Sequence, residues 1–546
     1  MQKKFLTLAV ASAFALGSAG MAFAQVSPSL ATTGDKLLGA IYNTQAGNET
    51  YLSITNTTNR AKAVKFRMRE GRGSEDSLDF HVYLSPYDMW TAALTENSAG
   101  NVVLVTQDTS CTVPQVTGDP ETSRAIAGTN YIPSIYEDGS AEAAAARVAE
   151  GYVEIIEMAD FGTAPASIDD DYATRAGTEN MQAQDIAWAT KHVDGVPRDC
   201  ASVRDFNRNN ITPVEAARND FGVPRGGLFG NMAVINVAQG TFLTFEMDVI
   251  NSGFDTGLDG DGNGNIFFSQ NPNEGPGNVL TTYTADRGLV FEKVFLADGL
   301  NDLVYFDLPS LSTITSASGL PAATVTYNSV AAGESATLTD VAELLAPISA
   351  LLAVPSVTNE YIVNPLAGAA TDWVITFPTK RYHTNYAYDE ETGAPLPAAA
   401  SGALNAEDGW IAPFREGFNQ ARGQACERIR FDQLRDREET RTTAPVGEIE
   451  FSPGRPDVVD PSTLCFEMNV VSFNDSDIEN PSKVVGGFNT RQNLPVPFNE
   501  GWATIVFDDD LPVIGFMAHN LVNEAVSEGV LANYAGTFGH RYIGGR

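Results

Sequence analysis

The sequence predicts a mainly β protein of two β-sandwich-like domains, immunoglobulin-like or jelly-roll in type, with short helical insertions. Three observations carry that expectation. Apolar and polar residues alternate over many short runs, the two-residue period of a strand with one buried face. Turn formers crowd between the runs, 48 Gly and 28 Pro in all, as a strand-dense fold requires. The 546 residues exceed the usual size of one domain, and 43% hydrophobic content is enough to fill real cores.

Residues 1–24 read as a signal peptide. Lys3 and Lys4 supply the positive start, Phe5–Leu16 the apolar stretch and Ala22-Phe23-Ala24 the small-residue cleavage site. The apolar run is too short for a membrane anchor, and no later stretch is long enough to cross as a helix. The first cysteine is Cys111, so the cleavage site has none to carry a lipid. The chain is therefore expected to be exported: extracellular, cell-surface or periplasmic.

The N-terminal domain is expected over residues 25–223 and the C-terminal one over 224–546. Gln25–Asp35 reads as a flexible lead-in, with strand donation to a neighbouring subunit as the less favoured alternative. Strands follow at Leu38–Tyr42 and Thr50–Asn56. Val64, Phe66 and Met68 then alternate with Lys65, Arg67 and Arg69, which predicts a strand with one wet, basic face. Leu78, Phe80, Val82 and Leu84 repeat the pattern, and Val102–Gln107 leads to Cys111. Ala141–Glu150, Met181–His192 and Asp199–Phe206 read as helices, with Gly151–Met158 a strand among them. Pro224-Arg225-Gly226-Gly227 marks the expected boundary. Beyond it come a hairpin of Met232–Val237 with Thr241–Ile250, strands at Leu289–Leu296 and Leu303–Phe306, and an amphipathic helix over Asp340–Ala353. Thr371–Lys380, Cys465–Phe473, Trp502–Phe507 and Leu511–Met517 complete the strands, and Trp410–Thr443 reads as a solvated hairpin.

Four cysteines in an exported chain suggest two disulfides, with three connectivities open. The sequence-local pairs, Cys111–Cys200 and Cys426–Cys465, are favoured. No CxxC or Cys/His cluster supports redox, haem or zinc chemistry.

Several segments together resemble an uncharacterised group of secreted proteins from Gram-negative bacteria. The carriers are YLSITNTTNRAKAVKFRMREG, LDFHVYLSPYDMWTA, GYVEIIEM, TDWVITFPTKRYHT, LCFEMNVVSF, LPVIGFMAHNLVN and the closing GHRYIGG. They span most of the mature chain. The resemblance implies a β-rich envelope or extracellular protein and brings no activity or catalytic residues.

Specific chemistry is suggested in one stretch, Thr241–Gln270. Its strand has Leu243, Phe245, Met247 and Val249 on one side and Thr244, Glu246 and Asp248 on the other. The loop that follows carries Asp255, Asp259, Asp261, Asn263 and Asn265 among glycines. Residues 259–264 match the opening of a calcium loop, with oxygen ligands at alternating positions and glycine at the sixth. The twelfth position is Gln270 rather than Glu and the flanks are not helical, so the expectation is a Ca2+-stapled loop between strands rather than an EF-hand. A loop chosen only for turn geometry and solubility is the alternative.

No GxSxG elbow, HExxH or P-loop occurs. His519 follows the run Asp508-Asp509-Asp510, but a lone histidine at a strand end is usually structural. Tyr83, Tyr87 and Trp90 suggest either core packing, the favoured reading, or a sugar-stacking platform. The net charge of −35 repels phosphate backbones, so nucleic acid is not an expected partner. It suits either plain solubility or a saline, cation-rich setting. A transmembrane β-barrel fits the alternation but not the helices and uneven strands. The expected function is thus a structural or adhesive protein of a surface layer, matrix or fibre, non-enzymatic on balance, partnered by itself or by cell-envelope components. A polysaccharide-binding protein or glycoside-acting hydrolase is the alternative.

Overall fold

The computed structural model describes residues 29–123, 147–252, 346–380, 426–439, 463–473 and 482–542 with short breaks, and a few isolated residues and short strands between them. Among the described residues nine strands open the fold: β1 (Ser29–Leu30), β2 (Lys36–Asn43), β3 (Glu49–Asn56), β4 (Ala61–Glu70), β5 (Asp76–Leu84), β6 (Met89–Glu96), β7 (Val102–Val105), β8 (Cys111–Val113) and β9 (Glu150–Gly162). Helices α1 (Tyr172–Arg175), α2 (Ala183–Thr190) and α3 (Cys200–Asn207) come next, then β10 (Leu228–Asn236), β11 (Thr241–Glu246) and β12 (Asp248–Asn251). These strands make a seven-stranded sheet, β1-β12-β2-β9-β4-β5-β8, and a five-stranded one, β11-β10-β3-β6-β7.

The two sheets form a sandwich-like unit because their inward residues are large and apolar. Phe66, Phe80 and Trp90 pack ring to ring, with centroids 4.9 to 5.7 Å apart, among Leu52, Val64, Met68 and Met232. Each such side chain contributes about 1.5–3 kcal/mol through burial. On the outer face of the larger sheet, α2 and α3 cover Ala61, Ala63, Ile156 and Met158 with Ile186, Val203 and Phe206. Asp199 starts α3 by accepting the Ser202 N–H at 3.0 Å.

The N-terminal unit does not end at the boundary expected before residue 224. Gly226 and Gly227 adopt positive φ and turn the chain back, so that β10 and β11 extend the smaller sheet and β12 enters the larger one. A Cβ on Gly227 would lie 2.3 Å from Thr58 Cγ2, which is why only glycine fits. The same residues that mark a linker also mark a tight reversal. The expected lead-in is also drawn into the fold: β1 pairs with Ile250–Asn251, and Asp35 is buried.

The second sandwich-like unit contains β13 (Ala353–Ile362), β14 (Ala369–Thr376), β15 (Glu427–Asp436), β16 (Thr463–Leu464), β17 (Met468–Phe473), β18 (Arg491–Leu494), β19 (Glu500–Pro512), β20 (Ile514–Ser527), β21 (Val530–Gly539) and β22 (Arg541–Tyr542). Its sheets run β16-β15-β19-β13-β22 and β18-β17-β14-β20-β21. Trp373, Tyr361, Phe473, Phe377 and Phe507 fill the space between them. Of the helix expected over Asp340–Ala353, residues 346–352 are described and helical, with Ile348 and Leu352 buried. The helix expected over Ala141–Glu150 lies largely outside the described residues.

The strand face expected to be wet and basic is dry. Lys65, Arg67 and Arg69 are at most 2% exposed, and β9 supplies the carboxylate that makes this tolerable: Glu154 lies 2.8 Å from Arg69 and 3.5 Å from Arg67, while Asp79 on β5 lies 2.6 Å from Lys65. Alternation distinguishes two faces of unlike polarity, but it does not say which face water reaches.

Candidate functional site

The strand at the centre of the sequence reading is a corner. β11 is the edge of the smaller N-terminal sheet. At Met247, whose N–H donates to the Gly230 carbonyl at 3.0 Å, the chain crosses into β12 and the larger sheet. Leu243 is buried inward, while Phe242, Thr244 and Glu246 are exposed. The register places Glu246 opposite Asn231, and Asn231 opposite Ser53. The next row is Thr244, Ala233 and Tyr51. The small Ala233 side chain leaves a hollow between bulkier neighbours.

β21 from the second unit lies alongside β11. Thr537 Oγ1 donates to the Thr244 carbonyl, and Asn533 Nδ2 donates to the Gln239 carbonyl at 3.0 Å. Phe245 and Phe516 stack with centroids 4.4 Å apart, joining the units beneath. Between them opens a cleft of about 850 Å³, with Tyr51, Phe242 and Glu246 on one side and Phe516, Thr537 and Tyr542 on the other. Sites of this size at the junction of two units are where ligands commonly bind. Among the described residues lining it, the acidic side chains are Glu246 and Asp248, and none is Lys or Arg. His540 is buried in the wall. Its Nε2 lies 3.0 Å from the Val374 carbonyl and must donate, so Nδ1 accepts from Asn359 Nδ2 at 3.3 Å. Both ring nitrogens are engaged in holding the wall.

The five residues expected to hold calcium, Asp255, Asp259, Asp261, Asn263 and Asn265, lie outside the described residues. Their flanks are described and anchored. Ser252 donates its N–H to Asp35 and its hydroxyl lies 2.5 Å from Lys36 Nζ. Ile266 is buried with its N–H on the Met158 carbonyl at 3.4 Å, and Phe267 packs edge-on against Phe221 at 5.2 Å. Both favoured disulfides are present, Cys111–Cys200 tying β8 to α3 and Cys426–Cys465 tying the start of β15 to the segment before β17.

The other candidates do not converge. Tyr83 and Trp90 are buried while Tyr87 is exposed, so the three rings make no platform. The Ser85 hydroxyl and Asp88 carboxylate approach the same nitrogen of His192, Nδ1, at 3.3 and 3.6 Å, whereas a triad needs one on each nitrogen. Ser349 lies 2.9 Å from His383 Nε2 and 3.1 Å from Thr379 Oγ1, all three buried, a core hydrogen-bond cluster. His519 stacks on Phe538 at 5.6 Å. Burial lowers its pKa against the opposing charge of Glu360, which is a different carboxylate from those of the Asp508–Asp510 run.

Tyr51 and Phe242 were not singled out from the sequence. Phe242 nevertheless carried a signal: it is an aromatic on the polar side of an otherwise amphipathic strand. Tyr51 lies within a strand read only as strand, and nothing linked it to a residue almost two hundred positions away. The chain matches no protein-family model, no curated protein and no solved structure.

Proposed function

We propose that this protein is exported and acts at the cell surface as a structural or adhesive component, with the segment 253–265 binding Ca2+. The observation that carries this reading is the bond between the two sandwich-like units. Glu150 of β9 accepts the Thr490 N–H of the second unit at 2.6 Å. Asn43 and Asn48 both donate to the Val485 carbonyl, at 3.0 and 2.9 Å, and Thr376 donates to the Ala40 carbonyl at 2.7 Å. A buried apolar cluster of Leu38, Ile41, Val374, Val470 and Phe516 surrounds these bonds. Enzymes that close on a substrate generally keep a hinge between their units, whereas this junction favours a body that carries load or presents a surface. Export rests on the signal-like residues 1–24 and is compatible with the two disulfides.

Localising the native protein by cell fractionation and imaging purified envelopes tests this reading. Surface assemblies are the expected result, and a soluble monomer that cleaves glycans would overturn it. For calcium, calorimetric titration of the mature chain is expected to show weak binding, with Kd about 10⁻⁴–10⁻³ M, lost in Asp259→Ala/Asp261→Ala. Absence of any calcium-dependent heat or melting shift ends that part.

A glycoside hydrolase is the second reading. Glu246 and Asp248 line one cleft, two positions apart, and paired carboxylates about 5–9 Å apart are the machinery of that reaction.

A further inference from the structure

We propose that the cleft between β11 and β21 is a binding site for an uncharged oligosaccharide, held on the outer face of the smaller N-terminal sheet by Tyr51 and Phe242. This deepens the adhesive reading by naming what the surface would grip, and it rests on that reading for its biological setting, not for the binding itself.

Two aromatic side chains on this outward face stand well open to water, Phe242 at 59% and Tyr51 at 37% exposure. Exposed rings that line a formed cleft offer the apolar surface that a ligand in such a cleft covers. Their separation follows from the ladder. β10 stands between β3 and β11, and Phe242 is two residues along from the Thr244–Ala233–Tyr51 row. With strand spacing near 4.8 Å and a rise near 3.4 Å, the two Cα atoms are about 12 Å apart. That is farther than one pyranose ring spans, so the occupant is a chain of sugars rather than a monosaccharide.

The polar groups beside the rings suit hydroxyls. Thr244 and Glu246 on β11 and Asn231 on β10 share this exposed face, offering an amide, a carboxylate and a hydroxyl beside apolar ring faces. Sugars present the same combination, with C–H faces that cover aromatic rings and a rim of hydroxyls. Anions are disfavoured, because no described residue lining the cleft is Lys or Arg and the chain carries a net charge of −35. A cationic peptide is compatible with the carboxylates. It does not account for the two widely spaced rings with hydroxyl and amide side chains beside them. The walls are set in advance by the Thr537–Thr244 and Asn533–Gln239 bonds, so little ordering accompanies binding.

The test is calorimetric titration of the purified mature chain with cellohexaose, laminarihexaose, chitohexaose and maltohexaose, alongside a hexagalacturonate and hexalysine. At least one neutral hexasaccharide is expected to bind. Tyr51→Ala and Phe242→Ala should each weaken it at least tenfold without shifting the melting temperature, since both side chains project outward. Glu246→Gln keeps both rings and should weaken it several-fold, which serves as an independent check if an alanine variant fails to fold. Binding of hexalysine or hexagalacturonate alone, no binding of any neutral glycan, or glycan binding indifferent to all three substitutions overturns the proposal. Cleavage of a bound glycan, abolished in Glu246→Gln, supports the site and overturns the non-enzymatic reading, while localisation away from the surface would overturn the adhesive role and leave glycan binding standing.

Discussion

Arg69 on β4 and Glu154 on β9 meet with Nε and Oε1 2.8 Å apart, and neither side chain reaches water. The same carboxylate faces Arg67 at 3.5 Å, so one acid serves two guanidinium groups inside the fold. Such a cluster stabilises little relative to an apolar core, because desolvation offsets most of the attraction. Breaking it is another matter.

Glu154→Gln is therefore expected to cost about 3–5 kcal/mol, the usual penalty for removing one partner of a buried ion pair. Replacing Arg67, Arg69 and Glu154 together by apolar residues of similar volume should cost less than that single change. Urea unfolding of the two variants checks the order, and a loss below about 1 kcal/mol for Glu154→Gln would mean that water reaches the cluster as it would a surface pair.

A second buried carboxylate gives a pH signature. Asp372 on β14 accepts the Ser472 hydroxyl at 2.6 Å and the Val484 and Val485 N–H groups at 3.0 Å each. Burial nevertheless raises its pKa above the ordinary 3.8, outweighing the lowering by those hydrogen bonds. The folded state then holds its proton to higher pH than the unfolded state does. Its contribution to stability accordingly declines as pH rises above about 3.8. Asp372→Asn should remove that declining component. Urea midpoints compared between pH 4 and pH 7 should fall more, or rise less, in the wild type than in the variant. The reverse order would mean that the hydrogen bonds outweigh burial.

The strands were legible because alternation is a local property. Val64, Phe66 and Met68 revealed a core face, and the strand then forms from Ala61 to Glu70. What burial does to the opposite face was not legible, since the acid that neutralises Arg67 and Arg69 stands on a strand more than eighty residues away. The disulfides followed from proximity in sequence, which is where the loop-closure cost is smallest. The turn at Gly226-Gly227 carried the right local signal with two meanings, and only pairing to β3 and β2 distinguishes a reversal from a border. The cleft was the least legible feature, because β11 and β21 are separated by nearly three hundred residues and meet side by side rather than in a ladder. Phe242 was its one local trace.

The junction between the units yields the strongest test of how the molecule is built. The segment 482–487 is clasped from both sides: its Val484 and Val485 N–H groups bind Asp372 of the second unit, while its Val485 carbonyl takes Asn43 and Asn48 of the first. Gly486 sits at φ +77, and a Cβ there would lie 2.1 Å from Asn48 Nδ2, so the clasp depends on a glycine with no side chain at the point of contact. Glu150, fully buried, adds its bond to Thr490. Units sharing that much buried, hydrogen-bonded surface should unfold together, so calorimetry of the wild type is expected to give one cooperative transition. Gly486→Ala forces both a strained backbone and a clash, and Glu150→Ala leaves the Thr490 N–H without its acceptor, a loss of about 1–3 kcal/mol. The double variant should resolve into two transitions, with the first unit melting separately from the second. A single transition in that variant, lowered but undivided, would show that the apolar cluster of Leu38, Val374 and Phe516 couples the units without the clasp.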